Sequence, residues 1–187
     1  MGMKYPDHYV SYLVEFHATR DFFECHELLE EYWKEHPADE RALIWVGLIQ
    51  LAVGQYHERR GNLAGAAKMY AQALGKLTAE SLDSLGLDGA KAVVELEAAL
   101  ARAEKLEDAI SSAYKDINLV IVDAQLQVLC EQECAERGLA QSKWGLPSEM
   151  ADEALIHRHT LRDRSDVIAA RAEAIAARKK KPSTHNR

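Results

Sequence analysis

Apolar residues recur every three to four positions along most of this chain, the spacing of one buried helix face. Over residues 5–17 Tyr9, Tyr12, Leu13 and Phe16 hold that spacing and predict a first helix. Asp21, with Glu24 three residues on, has the form of a capping box opening a second helix, which Pro37 closes near His36. A long third helix is predicted over 39–59 and is broken at Gly61-Asn62; Asn62 then caps a fourth over 63–77. The stretch ESLDSLGLDG reads as a loop, with Asp88 as the next cap. Residues 89–114 are Ala-rich and helical, with Val93, Leu96, Leu100, Ala103, Ile110 and Tyr114 as the buried stripe. INLVIV (117–122) is β-branched and fits a short strand or a buried connector. Residues 123–137 are helical and end at Gly138. ALIHRHTL (154–161) fits a strand or a helix, 162–178 is helical, and KKKPSTHNR is a frayed basic tail.

The pattern predicts an all-α protein. A helical core spans residues 1–77, and a helical extension with a basic C-terminal tail spans 78–187. Gly54, Gly61, Ala66, Tyr70, Ala73 and Leu74 fall at the spacings of small and aromatic residues in a tetratricopeptide helical hairpin. Gly54, Gly61 and Ala66 are therefore expected where the third and fourth helices approach most closely. One such unit predicts a local αα-hairpin rather than an array, which needs about three units to bury its faces.

Composition narrows the class. The 187 residues suffice for one domain with a core, or a domain plus an extension. With 4 prolines and 10 glycines, an all-β fold rich in turns is disfavoured. The N-terminus carries Asp7 and Glu15 and shows no signal peptide, and no apolar run approaches the roughly 20 residues of a membrane span. Three cysteines, Cys25, Cys130 and Cys134, do not make a disulfide framework and fit a reducing cytoplasm. The net charge of −7 hides a gradient. Residues 21–40 hold eight acids against Lys34 alone, whereas residues 156–187 hold nine Lys/Arg against three acids. An acidic protein is a poor nucleic-acid binder, so nucleic acid is not expected as a partner; another protein or a second copy of the chain stays open.

The chemistry concentrates in FFECHELLEEYWKEH, Phe22 to His36. On a helical wheel Phe22, Cys25, Leu28, Leu29, Tyr32 and Trp33 form a broad apolar face, and Glu24, Glu31 and Glu35 a solvated one. His26 and Glu30 fall at the boundary one turn apart, where they reach the same point in space. A histidine and a carboxylate so placed can ligate a divalent cation, with Glu27 as a base and His57 as a third ligand. The spelling is HExxE and not the HExxH of a zinc protease, and the Glu-x-x-His of a di-iron bundle is missing here. The structural alternative is a polar seam, in which His26 and Glu30 bond a group between Gln50 and His57 under the edge of Trp33 and fix the register of two helices.

Other candidates are weaker. Cys130 and Cys134, one turn apart, could hold a metal with His157 or His159, but read more simply as small core residues. Arg158, Arg162, Arg164 and Arg171, with His157 and His159, could meet phosphate; Asp163 and Asp166 interleave with them and favour a solvated, ion-paired face. No glycine-rich phosphate loop, Ser-His-Asp arrangement or dinucleotide fingerprint is present.

FECHELLEEYW followed by WVGLIQLAVGQYHERRGNLAGA resembles the domain of unknown function 309 family of small bacterial and archaeal proteins. The residues that carry the resemblance are Phe23, Glu24, His26, Glu27, Glu30, Trp33, Gly47, Leu48, Ile49, Gln50, Gly54, Tyr56, His57, Arg60, Gly61, Asn62 and Gly65, within about residues 8–77. LIHRHTLRDRSDVI is similar to the C-terminal part of longer members from Gram-positive bacteria. The resemblance implies a helical bundle and no particular activity. It marks His26, Glu27, Glu30, Trp33, Gln50, Tyr56, His57, Arg60 and Asn62 as candidate binding residues. The function expected is a non-enzymatic binding or scaffold role in the cytoplasm. The alternative is a metal-dependent hydrolase built on His26, Glu27 and Glu30, with a divalent metal held by His26, Glu30 and His57.

Overall fold

Pro6 lacks an N–H to leave unsatisfied and opens α1 (Asp7–Val14), which buries Tyr9, Tyr12 and Leu13. In the computed structural model, which describes residues 4–105 and 113–161, this helix runs into a single π-helical turn at Glu15–Thr19. Arg20 ends the turn at φ 57, a conformation few residues with a side chain adopt. Four acceptors hold it there. The guanidinium donates to the carbonyls of Phe16, Ile117 and Leu146 and to Asn118 Oδ1.

α2 (Phe22–Glu35) follows at once, with Asp21 accepting from the Glu24 N–H at 3.0 Å as its cap. It buries Phe22, Cys25, Leu29 and Tyr32, but Trp33 is 37% exposed and lies off the buried stripe on which the wheel placed it. α3 (Ala42–Arg59) starts three residues later than expected, because Asp39 folds residues 39–41 into a turn. Its carboxylate accepts from the Arg41 N–H at 2.8 Å, the Tyr32 hydroxyl at 3.0 Å and Trp45 Nε1 at 3.1 Å.

α4 (Leu63–Leu74) is capped by Asn62, whose Oδ1 accepts from the Gly65 N–H. Contacts of Gly47 with Leu77, Gln50 with Gln72 and Gln55 with Tyr70 run in opposite directions along α3 and α4, so the two form an antiparallel hairpin. A Cβ on Gly54 would lie 2.4 Å from the Tyr70 ring, so this glycine does mark a close approach. Gly61 does not. It sits in the turn at φ 78 with open space around it, and glycine is there for backbone conformation. The contacts establish the hairpin; its likeness to a tetratricopeptide unit rests on spacing alone. Ala66 is fully buried on α4. Ala66→Leu is expected to lower stability in urea unfolding by about 1–3 kcal/mol through overpacking. An unchanged midpoint would show that the interface has room to spare.

The expected loop at 80–89 contains a helix, α5 (Ala79–Ser84), opened by a Thr78–Ser81 capping box. Serine replaces the usual Glu or Gln at the third position, which hides the box from a pattern search. α6 (Gly89–Lys105) packs on α4. Ile110 lies outside the described residues. Tyr114 belongs to a non-helical segment rather than to the helical stripe, and its hydroxyl donates to Asp116 at 2.6 Å and lies 3.2 Å from Gln55 Oε1. INLVIV is an extended connector with one antiparallel bridge, between Leu87 and Ile121. α7 (Ala124–Glu136), capped by Asp123, packs on α1. Residues 154–161 resolve the helix-or-strand ambiguity as two one-turn helices, α8 (Glu153–Ile156) and α9 (Arg158–Leu161). The helix expected over 162–178 and the basic tail lie outside the described residues. The fold is all-α, and one buried cluster runs from Tyr5, just ahead of α1, to Cys134 on α7. Among the described residues no helix is long and apolar enough to cross a membrane.

Candidate functional site

α2, the end of α3 and α9 enclose a pocket of about 230 Å³ lined by Phe22, Phe23, His26, Val53, Tyr56, His57, Arg60 and His159. Three of its polar groups are fixed by local bonds. Asn62 spends its Oδ1 on the α4 cap, so its Nδ2 is the donor to His57 Nδ1 at 3.1 Å. Burial, then the nearby Arg60 and His159, hold the His57 pKa below its ordinary value, and the neutral ring carries its proton on Nε2. His159 is set the same way. Its backbone N–H donates to the Tyr56 hydroxyl at 3.1 Å, and its Nδ1 is the acceptor within reach of that hydroxyl's one proton, which leaves the ring proton on Nε2. Burial and Arg60 again lower its pKa. The Arg60 guanidinium lies 5.1 Å from the Tyr56 ring centre, with a buried Nε that has no hydrogen-bond partner among the described residues.

At the pocket edge His26 sits between two carboxylates of its own helix. Its Nδ1 is 3.3 Å from Glu27 and its Nε2 3.2 Å from Glu30, which also pairs with Lys34 at 2.7 Å. Ligating atoms of His26, Glu27 and Glu30 lie within 4.8 Å of one another; His57, the expected third metal ligand, is not in that group and is committed to Asn62. The interhelical seam also takes a different form. Gln50 bonds Gln72 on α4, and Trp33 is an exposed residue. Only His26, of the trio, is on the pocket wall.

Beneath the pocket lies a buried polar network that tethers its C-terminal wall. Arg59, 4% exposed, donates to the Arg20 carbonyl at 2.7 Å and to Ser148 Oγ at 3.1 Å, and lies 4.6 Å over the Phe22 ring. Asp116 accepts from the Ser148 N–H and hydroxyl and from Tyr114, each at 2.6 Å. Glu58 accepts two bonds from Arg102 and one from the Tyr70 hydroxyl. Arg158 pairs with Asp21 at 3.2 Å, so it is a strut rather than a free phosphate ligand. Arg162, Arg164, Arg171, Asp163 and Asp166 lie outside the described residues.

A second pocket, about 440 Å³, lies between the extended connector, α7 and the Gln141–Gly145 turn. Trp144 stacks on the buried His17 at 4.6 Å, and Cys130 and Cys134 line the wall. His17 donates from Nδ1 to the Leu13 carbonyl and accepts from the Leu119 N–H at Nε2, and burial holds its pKa at about 3. Burial raises the thiols, Cys130 to about 12, so both are protonated core residues at neutral pH. His159, proposed as their partner, is in the other pocket.

The model of the family described as Domain of unknown function (DUF309) matches residues 9–69. The uncharacterized protein YpuF of Bacillus subtilis is 47% identical over 178 residues, covering 94% of this chain and 98% of that protein. The chain belongs to the DUF309 family. No solved structure matches it. The family region spans α1 to α4, and both motifs that carry the resemblance contribute to the first pocket: Phe23 and His26 from one, Tyr56, His57 and Arg60 from the other. His159 completes the wall from far outside that region. The sequence marked His26, Tyr56, His57 and Arg60 but missed Arg59, Asp116, His17 and Trp144. These partners are about 30 to 130 residues away, and only the HERRGN motif around Arg59 gave a local signal.

Proposed function

We propose that this is a non-enzymatic binding protein of the cytoplasm, and that the α2–α3–α9 pocket is its recognition site. One observation carries the reading. Two motifs separated by about thirty residues of chain supply Phe23, His26, Tyr56, His57 and Arg60 to one pocket. A helix pair that needed only a core would not require exposed-edge histidines and an arginine at the same place. The cytoplasmic assignment is supported by three free, buried thiols. A protein partner fits the exposed acidic face of α2, which carries Glu31 and Glu35 one turn apart.

The test is a thermal-shift screen against anionic, neutral and cationic small metabolites, on the wild type and on Val53→Trp, which fills the pocket. A ligand at 100 times its Kd stabilises by about 2.7 kcal/mol. The reading expects at least one ligand whose shift disappears in Val53→Trp; ligands whose shifts all survive the filling would remove it. The second reading, a metal-dependent hydrolase, is favoured by the His26, Glu27 and Glu30 cluster. It requires a divalent cation that co-purifies and is lost from Glu30→Gln, with hydrolysis lost alongside.

A further inference from the structure

We propose that the α2–α3–α9 pocket takes a compact oxyanion, the carboxylate or phosphate head of a small molecule. This rests on the pocket being the recognition site. The inference comes from counting lone pairs. His57 accepts from Asn62 at Nδ1, and Asn62 cannot rotate its amide without breaking the α4 cap. The Tyr56 hydroxyl has one proton to give, and His159 Nδ1 is the acceptor within its reach, which leaves the His159 proton on Nε2. Each neutral ring therefore offers Nε2–H, a donor, and has no lone pair left for a metal. Arg60 adds a guanidinium, which donates and never accepts.

The three groups form a set of donors with no acceptor among them, and the ligand that satisfies such a set is rich in acceptors and negatively charged. Nearby acids are already engaged: Asp21 with Arg158, Glu58 with Arg102, Glu30 with Lys34. At about 230 Å³ the pocket is smaller than the roughly 300–1,000 Å³ of sites for drug-sized molecules, so it fits a head group with a short body. Phe22, Phe23 and Val53 supply an apolar wall for that body.

The experiment is NMR on the full chain with ¹⁵N-labelled histidine at pH 7. Long-range ¹⁵N–¹H correlations report the tautomer of each ring before any ligand is added. Inorganic phosphate and acetate are then titrated at constant ionic strength, held with chloride. The expected result is Nε2–H at both His57 and His159. Saturable shifts at those Nε2 atoms should follow with phosphate or acetate, and the tighter of the two identifies the head group. Arg60→Gln should weaken that binding about tenfold or more, as loss of a charged hydrogen bond does, with Arg60→Lys recovering part of it. An Nδ1–H tautomer at either ring overturns the inference, and that readout needs no variant to fold. It is equally overturned if neither anion moves the rings while a neutral or cationic molecule from the screen does, a result that leaves the pocket as recognition site. Binding that is indifferent to Val53→Trp removes the pocket reading itself.

Discussion

Asp116→Ala is expected to cost about 3–5 kcal/mol in urea unfolding at pH 7, the loss typical of a buried charge stripped of its partner. Asp116 is 7% exposed and accepts three short bonds, from the Ser148 N–H, the Ser148 hydroxyl and the Tyr114 hydroxyl. Alanine leaves all three donors facing a cavity. It also removes the carboxylate that balances the buried Arg20 and Arg59 guanidiniums. Asp116→Asn keeps an acceptor but not the charge, and should cost about 1–3 kcal/mol. The order alanine, asparagine, wild type is the diagnostic feature. A loss below about 1 kcal/mol for alanine would mean that water replaces the carboxylate and that the network is not closed. Because Ser148 also meets Arg59, which reaches the Leu155 carbonyl of α8, the same substitution loosens the wall that carries His159. Ligand binding in the pocket should weaken in Asp116→Asn even where the protein stays folded.

The helices were legible because helix period, caps and breakers are local signals. Asp21, Asn62 and Asp88 each announce a helix start within four residues, and each accepts a backbone N–H in the first turn. The Gly54–Tyr70 contact was legible for a related reason: a small residue and an aromatic at hairpin spacing meet when the hairpin closes. α5 was missed because its capping box uses Ser81, and Gly61 was misplaced because a turn glycine and an interface glycine look alike in sequence. The pocket was half legible. His26, Tyr56, His57 and Arg60 lie in motifs, but their meeting with His159 depends on a crossing of about a hundred residues. His57 was read as a metal ligand because the sequence does not show which ring nitrogen is spoken for; the Asn62 cap decides that, and only in three dimensions. The buried arginines were least legible. No sequence pattern singles out Arg20 or Arg59, and what buries them are backbone carbonyls on segments that no pattern links to them.

His17 should make this protein acid-sensitive well above the carboxylate range. The folded ring is neutral, with Nδ1–H on the Leu13 carbonyl and Nε2 accepting from the Leu119 N–H, and a second proton would set two N–H groups against each other. Burial therefore holds its pKa at about 3, against 6.5 for a free imidazole. Below pH 6.5 the unfolded chain takes up a proton that the folded ring refuses, so acid favours unfolding. The contribution is complete above pH 6.5, falls by about 1.4 kcal/mol per pH unit below it, and levels off near the folded pKa. Its full size is about 3–5 kcal/mol. His57 and His159 act in the same direction, and the depressed carboxylate of Asp123, at about 2, acts only below the carboxylate range. Comparing the wild type with His17→Gln separates the His17 share, since glutamine keeps an acceptor for the Leu119 N–H and does not titrate. The variant should be less stable at pH 7, where it loses the stack on Trp144, yet lose less stability than the wild type between pH 6.5 and 4. Parallel pH profiles for the two proteins would mean that folded His17 protonates near 6.5. The bond to Leu119 would then not be what orders the connector along the second pocket.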